Sequence, residues 1–257
     1  MYPIDLSGKN GVIFGVANDR SIAWAIARLL GEAGARLALT YQNDRLKERV
    51  VRLAESLEGA IAIPCDAADD AQIEVVFQEL EREFGEISFL VHSIAYANRE
   101  DLAGRFADTN REGFRLALEI SAYSLLPLVK HAAPLMKRGG SVLAMTFEAS
   151  QRVYPGYNVM GTAKAALEQA VRQLASEFGE QGVRVNAISA GPLDTLAARG
   201  IHGFLDMKKI HAERAPLQRN ITVDEVAKTA LFLCSDLSSG ITGSIIPVDA
   251  GYHIMAV

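Results

Sequence analysis

Two phenols and one amine lie close together in the stretch YPGYNVMGTAK, Tyr154 to Lys164. A phenol that keeps its proton at neutral pH can donate to an oxygen that is gaining negative charge, and an ammonium can hold sugar hydroxyls and lend positive potential. The spacing selects which phenol pairs with the amine. Tyr157 and Lys164 are seven positions apart, two helical turns, so on a helix they share a face with an offset of about 10 Å along the axis. Met160 falls between them. Tyr154 precedes Pro155, and a residue before proline is driven out of the α region, so Tyr154 is expected ahead of the helix. Across that offset Tyr157 and Lys164 do not bond each other; both can reach a small molecule lying along the helix, such as a ribose. The same pattern also fits an amphipathic helix with one buried tyrosine and one solvated lysine.

Holding such a pair requires a scaffold, and the chain supplies short apolar runs between longer amphipathic stretches. The runs GVIFG, RLALTY, AIAIPCD, FLVHSIA, SVLAMTF, RVNAISA and SIIPVD are candidate strands of a buried parallel sheet. The fold class expected is α/β, a Rossmann-like doubly wound parallel seven-stranded sheet with helices on both faces. No repeat or linker-like tract divides the sequence, so 1–257 is expected to fold as a single dinucleotide-binding domain. One region breaks the rhythm, from about Leu193 to Gln218, before a helix start at Thr222. An insertion there fits a helical lid over a substrate, or equally a pair of surface helices.

A doubly wound sheet places its ligand at the carboxyl ends of the strands. The first strand runs into Gly15, followed by Ser21 and Ile22 at the start of a helix whose free N–H groups suit a phosphate. This is not a GxGxxG motif, and Gly15 also reads as a plain turn glycine. The second strand ends at Gln42, a neutral residue where an acid would favour NADH and an arginine NADPH; NADH is preferred, with Arg45 keeping NADPH open. The third ends at Cys65 and Asp66, where the carboxylate could accept from an adenine amine or serve a turn or helix cap.

Composition narrows the class of function. The chain has 257 residues, 49% of them hydrophobic, and a net charge of −5, with no basic block, so nucleic acid is not an expected partner. Two separated cysteines, Cys65 and Cys234, indicate neither disulfides nor a thiolate metal site and suggest a reducing cytoplasm. The start MYPIDLSGKN has no leader-like pattern and the apolar runs are of strand length, so membrane spanning is not expected. His92, His131, His202, His211 and His253 show no metal-ligand spacing.

Several stretches together carry a resemblance: GVANDRSIAWAIA, LTYQNDRLK, VHSIAYA, EISAYS, YNVMGTAKAALE, GVRVNAISAGP, LFLCSDLSSGITG and VDAGYHIM. In that order, over essentially the whole chain, the sequence resembles the short-chain dehydrogenase/reductase superfamily. Within it, the sequence is similar to the NADH-dependent enoyl-acyl-carrier-protein reductases of bacterial fatty-acid synthesis. Ordinary members of the superfamily carry Tyr-x3-Lys; the Tyr-x6-Lys spacing of Tyr157 and Lys164 marks the enoyl branch. The resemblance implies that Gly15, Ser21 and Ile22 cradle the pyrophosphate, Gln42 the adenosine ribose, and Asp66 and Ala67 the adenine. It implies further that Ser93 and Ile94 hold the nicotinamide half, Lys164 its ribose, and Leu193 and Thr195 the carboxamide. Ala97, Phe147 and Met160 would line the acyl pocket, with Tyr157 steadying the enolate oxygen of an enoyl thioester carried on acyl carrier protein. It also implies a homotetramer and no metal. Other readings of the same fold are a carbonyl reductase or alcohol dehydrogenase, and a dinucleotide-binding sensor without turnover.

The chain departs from that pattern in places. Phe147 stands where many relatives have a second tyrosine, which leaves it a packing role. Tyr154, at a position usually apolar, is either a substitute for that hydroxyl or an exposed aromatic. Glu148 brings a carboxylate to a strand end, where it would repel an enolate unless turned to solvent. Asp194, His202, Leu205, Asp206 and Gln218 make the lid less basic than expected, with Lys208 and Lys209 further on, which weakens steering of an acidic carrier.

Overall fold

Residues 4–195, 198–201 and 203–256 are described by the computed structural model. Alternating strands and helices run through the first half: β1 (Asn10–Phe14), α1 (Ile22–Glu32), β2 (Arg36–Tyr41), α2 (Asp44–Glu55), β3 (Ile61–Pro64), α3 (Asp70–Phe84) and β4 (Phe89–His92). A short α4 (Arg99–Leu102), then α5 (Arg111–Leu118), a π turn over Glu119–Tyr123 and α6 (Leu125–Ala132) lead to β5 (Gly140–Thr146). The chain continues with α7 (Asn158–Phe178), β6 (Val183–Ala190), α8 (Phe204–Arg214), α9 (Val223–Cys234) and β7 (Ile245–Val248).

The seven strands lie in the order β3-β2-β1-β4-β5-β6-β7, and every pairing is parallel. All seven coincide with the apolar runs of the sequence, because helices cover both faces and each strand can be apolar on both sides. One face is covered by α1, α2 and α9, whose Ile26, Val50 and Ala230 share a core with Leu39 and Ile188. The other is covered by α3, α6 and α7, with Phe77, Leu128 and Leu167 packed on Val12 and Val142. The chain reverses its direction of winding between β1 and β4, and their adjoining carboxyl ends form the crevice where such sheets bind ligands.

Local signals set the helix starts that matter. Ser21 caps α1, its hydroxyl accepting from the Trp24 N–H, and Thr222 with Glu225 forms a capping box at the head of α9. Along α7 the residues Val159, Met160, Ala163, Leu167 and Val171 make a buried stripe, the first three packed with Leu102 and Ala117 of α4 and α5 and the last two on the sheet, and Lys164 and Glu168 are buried within that stripe. Gly161 lets the helix come close: a Cβ there would stand 2.8 Å from the Ala149 carbonyl oxygen. Among the described residues no helix is long and apolar enough to cross a membrane.

Candidate active site

A cleft of about 840 Å³ opens at the carboxyl ends of the central strands. Gly15, Ser21 and Ile22 form its wall at the mouth of β1, and Gln42, Asp66 and Ala67 line it beyond β2 and β3. Ser93, Ile94 and Ala97 follow β4; Phe147, Tyr157, Met160 and Lys164 come from the segment between β5 and α7; Leu193 and Thr195 follow β6. Every cofactor, substrate and catalytic residue expected from the sequence therefore meets the same cavity.

At the mouth of β1 the cleft is bounded by closely approached backbone. Gly15 has a φ of +95°, and a Cβ at that position would lie 2.1 Å from the Ser93 carbonyl oxygen, so only glycine allows the β1 turn to close on the β4 loop. Ile22 and the residues after it present the free N–H end of α1 beside that turn. A bare backbone cradle at a helix N-terminus, with volume inside the range of about 300–1,000 Å³ typical of ligand clefts, suits a dinucleotide. Asp66 is two residues past the end of β3; its carboxylate accepts from the Ala68 N–H at 3.1 Å and from Gln42 Nε2 at 3.4 Å. Asp69, not Asp66, caps α3.

Lys164 points inward from α7 and donates from Nζ to the Met145 carbonyl oxygen at 2.8 Å. One turn further, Glu168 accepts from the Thr146 hydroxyl at 2.8 Å, so two consecutive residues at the end of β5 are tied to two successive turns of α7. Burial lowers the Lys164 pKa to about 8, with Glu168 acting in the opposite sense. Tyr157 is the N-cap of α7 rather than a residue within it, which corrects the expectation of two side chains on one helix face. Its successor Asn158 has a φ of +27° and donates through Nδ2 to the carbonyls of Ala103 and Gly104 at 3.2 and 3.3 Å. The phenol still reaches the cleft occupied by Lys164. Burial drives the Tyr157 pKa well above the ordinary phenol value, which keeps its proton in place as a donor at neutral pH.

Two expectations about the neighbours fail. Glu148 neither faces solvent nor stands bare: its side chain is 11% exposed and is paired with Arg152 at 3.0 Å and with the Tyr154 hydroxyl at 2.6 Å. Tyr154 is neither a substitute phenol in the cleft nor a free aromatic, since its hydroxyl is engaged by Glu148 and its ring packs on Phe147. At the other wall, Ile201, Phe204 and Met207 carry the region before and within α8 against the cavity. His202 lies outside the described residues; Leu205 and Asp206 face outward.

Residues 15–253 match the family model for enoyl-(acyl carrier protein) reductase. The chain belongs to that family. The curated NADH enoyl-[acyl-carrier-protein] reductase of Bacillus subtilis strain 168 is 50% identical over 253 residues, covering 98% of each chain. A Rhizobium meliloti strain 1021 enzyme of the same description is 50% identical over 252 residues, covering 98% of this chain and 93% of its own. Among solved structures, the Bacillus cereus enoyl-acyl carrier protein reductase with NADP+ and an indole naphthyridinone superposes with a TM-score of 0.96 at 49% identity, covering 98% of this chain and 99% of that one. The Anaplasma phagocytophilum reductase in complex with NAD gives 0.95 at 44% identity, covering 98% of this chain and 96% of that one.

Around the cleft of this family member stand residues that the motifs did not reveal. Ser121, buried in the π turn, accepts from the Tyr96 N–H at 3.0 Å and donates to the Tyr96 carbonyl at 3.1 Å, and its oxygen lies 3.7 Å from Met160 Sδ. It clasps the loop after β4 that carries Ala97. Next to it the Ser124 hydroxyl donates to the Ile120 carbonyl at 2.7 Å and so has only its lone pairs to offer His92 Nε2 at 2.8 Å. His92 is therefore the neutral Nε2–H tautomer, and burial holds its pKa down to about 3.

Proposed function

We propose that this chain reduces the trans-2 double bond of enoyl thioesters with NADH in fatty-acid synthesis, with Tyr157 and Lys164 as the catalytic pair. The observation that carries the reading is the meeting of one protonated phenol and one buried ammonium at a single cleft floored by the Gly15 turn. When bound, NADH supplies the hydride that reduces the β-carbon. Tyr157 donates its proton in a hydrogen bond to the thioester carbonyl oxygen, so negative charge developing there meets a fixed donor in a water-poor setting. The enolate's α-carbon then takes a proton from solvent, Tyr157 keeping its own in the hydrogen bond. Lys164 holds the nicotinamide ribose hydroxyls and keeps positive potential under the reacting carbons. Ser21 and Ile22 bind the pyrophosphate, Ser93 and Ile94 the nicotinamide side, Leu193 and Thr195 the carboxamide, and Ala97, Phe147 and Met160 the acyl chain.

The preference for NADH is supported by the tip of β2, where neutral Gln42 lies beside the Asp66 carboxylate, a poor surroundings for a second phosphate. The region 193–218 acts in this reading as a substrate lid; the contact of Phe204 and Met207 with the cavity supports it. The thioester is carried on acyl carrier protein, docking with weak electrostatic steering, because the three cations of α8, Lys208, Lys209 and Arg214, are offset to a single net positive charge by Asp206 and Glu213. The assembly is a homotetramer, supported by the apolar groove of Phe114, Tyr123 and Leu126 beside Ala166 and Ala170. A reducing, cytoplasmic setting fits two cysteines that are both free and buried.

The test is to follow NADH absorbance with a crotonoyl thioester and, separately, with simple ketones. Consumption with the enoyl substrate alone is expected. Consumption with ketones would make the chain a carbonyl reductase, and cofactor binding without consumption in either case would make it a sensor.

A further inference from the structure

Three departures marked separately in the sequence, Phe147, Glu148 and Tyr154, form one connected assembly beside Tyr157. The Phe147 ring stands edge-on to Tyr157, with 5.1 Å between centroids and 67° between planes. It also meets the Tyr154 ring at 4.7 Å and 52°. The Tyr154 hydroxyl donates to Glu148 Oε2 at 2.6 Å, and Glu148 Oε1 takes Arg152 Nε at 3.0 Å. The two terminal nitrogens of Arg152 donate to the carbonyls of Met255 and His253 at 2.6 and 2.7 Å. Asp249 holds His253 in turn, accepting its backbone N–H at 2.8 Å. The rings on either side of Phe147 are thus fastened at one end to the tail of the chain and free at the other to touch the cleft.

Tyr157 needs such support. It precedes α7 instead of riding on it, the backbone turns through a positive φ at Asn158, and among the described residues its hydroxyl has no protein partner. Its ring stands against Phe147 and against the cluster that holds Leu102 and Met160, so ring packing is what orients the phenol. We propose that Tyr154 is a positioning residue for the reductase reaction: latched by Glu148, it backs the Phe147 ring, and that ring holds the Tyr157 phenol in its donating pose. The inference rests on the reading of Tyr157 as the donor. Glu148 has a role in the same scheme. Its charge is shared between Arg152 and a phenol, so the carboxylate is neutralised where it would otherwise oppose an enolate.

The test is steady-state kinetics with NADH and an octenoyl thioester, after wild-type turnover has been established. A small misplacement of the donor is enough to slow chemistry, so Tyr154→Phe and Glu148→Ala are each expected to lower kcat by about 5- to 10-fold, with KM and NADH affinity within about twofold of wild type. Glu148→Gln, whose amide oxygen still accepts the Tyr154 proton, recovers most of the loss seen in Glu148→Ala. In a Phe147→Leu background, Tyr154→Phe adds nothing, because the ring that transmits its effect is gone. The proposal is overturned if Tyr154→Phe and Glu148→Ala both turn over like wild type, if cofactor affinity falls in step with kcat, or if the Tyr154→Phe loss persists undiminished without the Phe147 ring. A wild-type protein inactive on every enoyl thioester removes the proposed function first, and this inference with it.

Discussion

The Lys164 ammonium is pinned to the Met145 carbonyl at 2.8 Å, bridging α7 and the end of β5. That bond fixes where the only buried ammonium among the described residues stands in the cleft. Replacing Lys164 with methionine keeps the apolar stem and removes the charge and donors, and is expected to weaken NADH binding about tenfold or more, the scale of a lost charged hydrogen bond. Cofactor fluorescence titration measures it; an unchanged Kd would take the ribose-holding role away from this residue.

The same amine makes binding depend on pH. Its pKa falls from 10.5 to about 8 on burial, so the folded protein without ligand releases that proton well before the unfolded chain does. The group's contribution to stability is therefore lost as pH falls from the ordinary lysine value through about 8, where the folded protein must charge a buried amine. For binding the sign is opposite. Above pH 8 the ammonium that faces the ribose is depleted, and NADH affinity is expected to decline between about pH 8 and 10. Titrations across that range should show the decline in wild type and not in Lys164→Met.

Glu168 tunes that amine. It is 3% exposed and has the Thr146 hydroxyl at 2.8 Å, while its charge raises the Lys164 pKa against the pull of burial. Glu168→Ala is expected to destabilise the fold by about 1–3 kcal/mol by stripping partners from buried polar groups, and to move the pH-dependent decline in NADH affinity to lower pH. Thermal melts and the binding profile report the two effects separately.

Ser121 governs the acyl side. Without its hydroxyl the N–H and C=O of Tyr96 both lose their partner, and the loop bearing Ala97 loosens. Ser121→Ala is expected to raise the KM of a long-chain enoyl thioester by about fivefold, the order of one lost buried hydrogen bond, and to affect crotonoyl substrates less. Equal effects on both chain lengths would mean that the serine serves stability alone.

Much of this architecture was legible in the sequence because its signals are local. Parallel strands covered on both faces must be continuous apolar runs, and Thr222 with Glu225 announces the start of α9 by cap chemistry alone. The cleft was legible because a doubly wound sheet gathers its strand ends, so Gly15, Gln42 and Asp66 could be placed without knowing a contact, whereas Ile94 was placed only through the family resemblance. What escaped depends on partners distant in the chain or on irregular backbone. Tyr157 looked helical because periodicity says nothing of the positive φ at Asn158, which is held by carbonyls of Ala103 and Gly104. Ser121 gave no sign because its partner, Tyr96, is twenty-five residues upstream. Glu148 and Tyr154 read as separate oddities because the turn that joins them has no repeating pattern.

The most direct measurement of the central claim is NADH oxidation by wild type and Tyr157→Phe with the same octenoyl thioester, alongside NADH Kd for both. A phenol that donates to the developing oxyanion should cost about 10²-fold or more in turnover when its hydroxyl is removed, with cofactor affinity unchanged. Equal turnover by the two proteins would contradict the account.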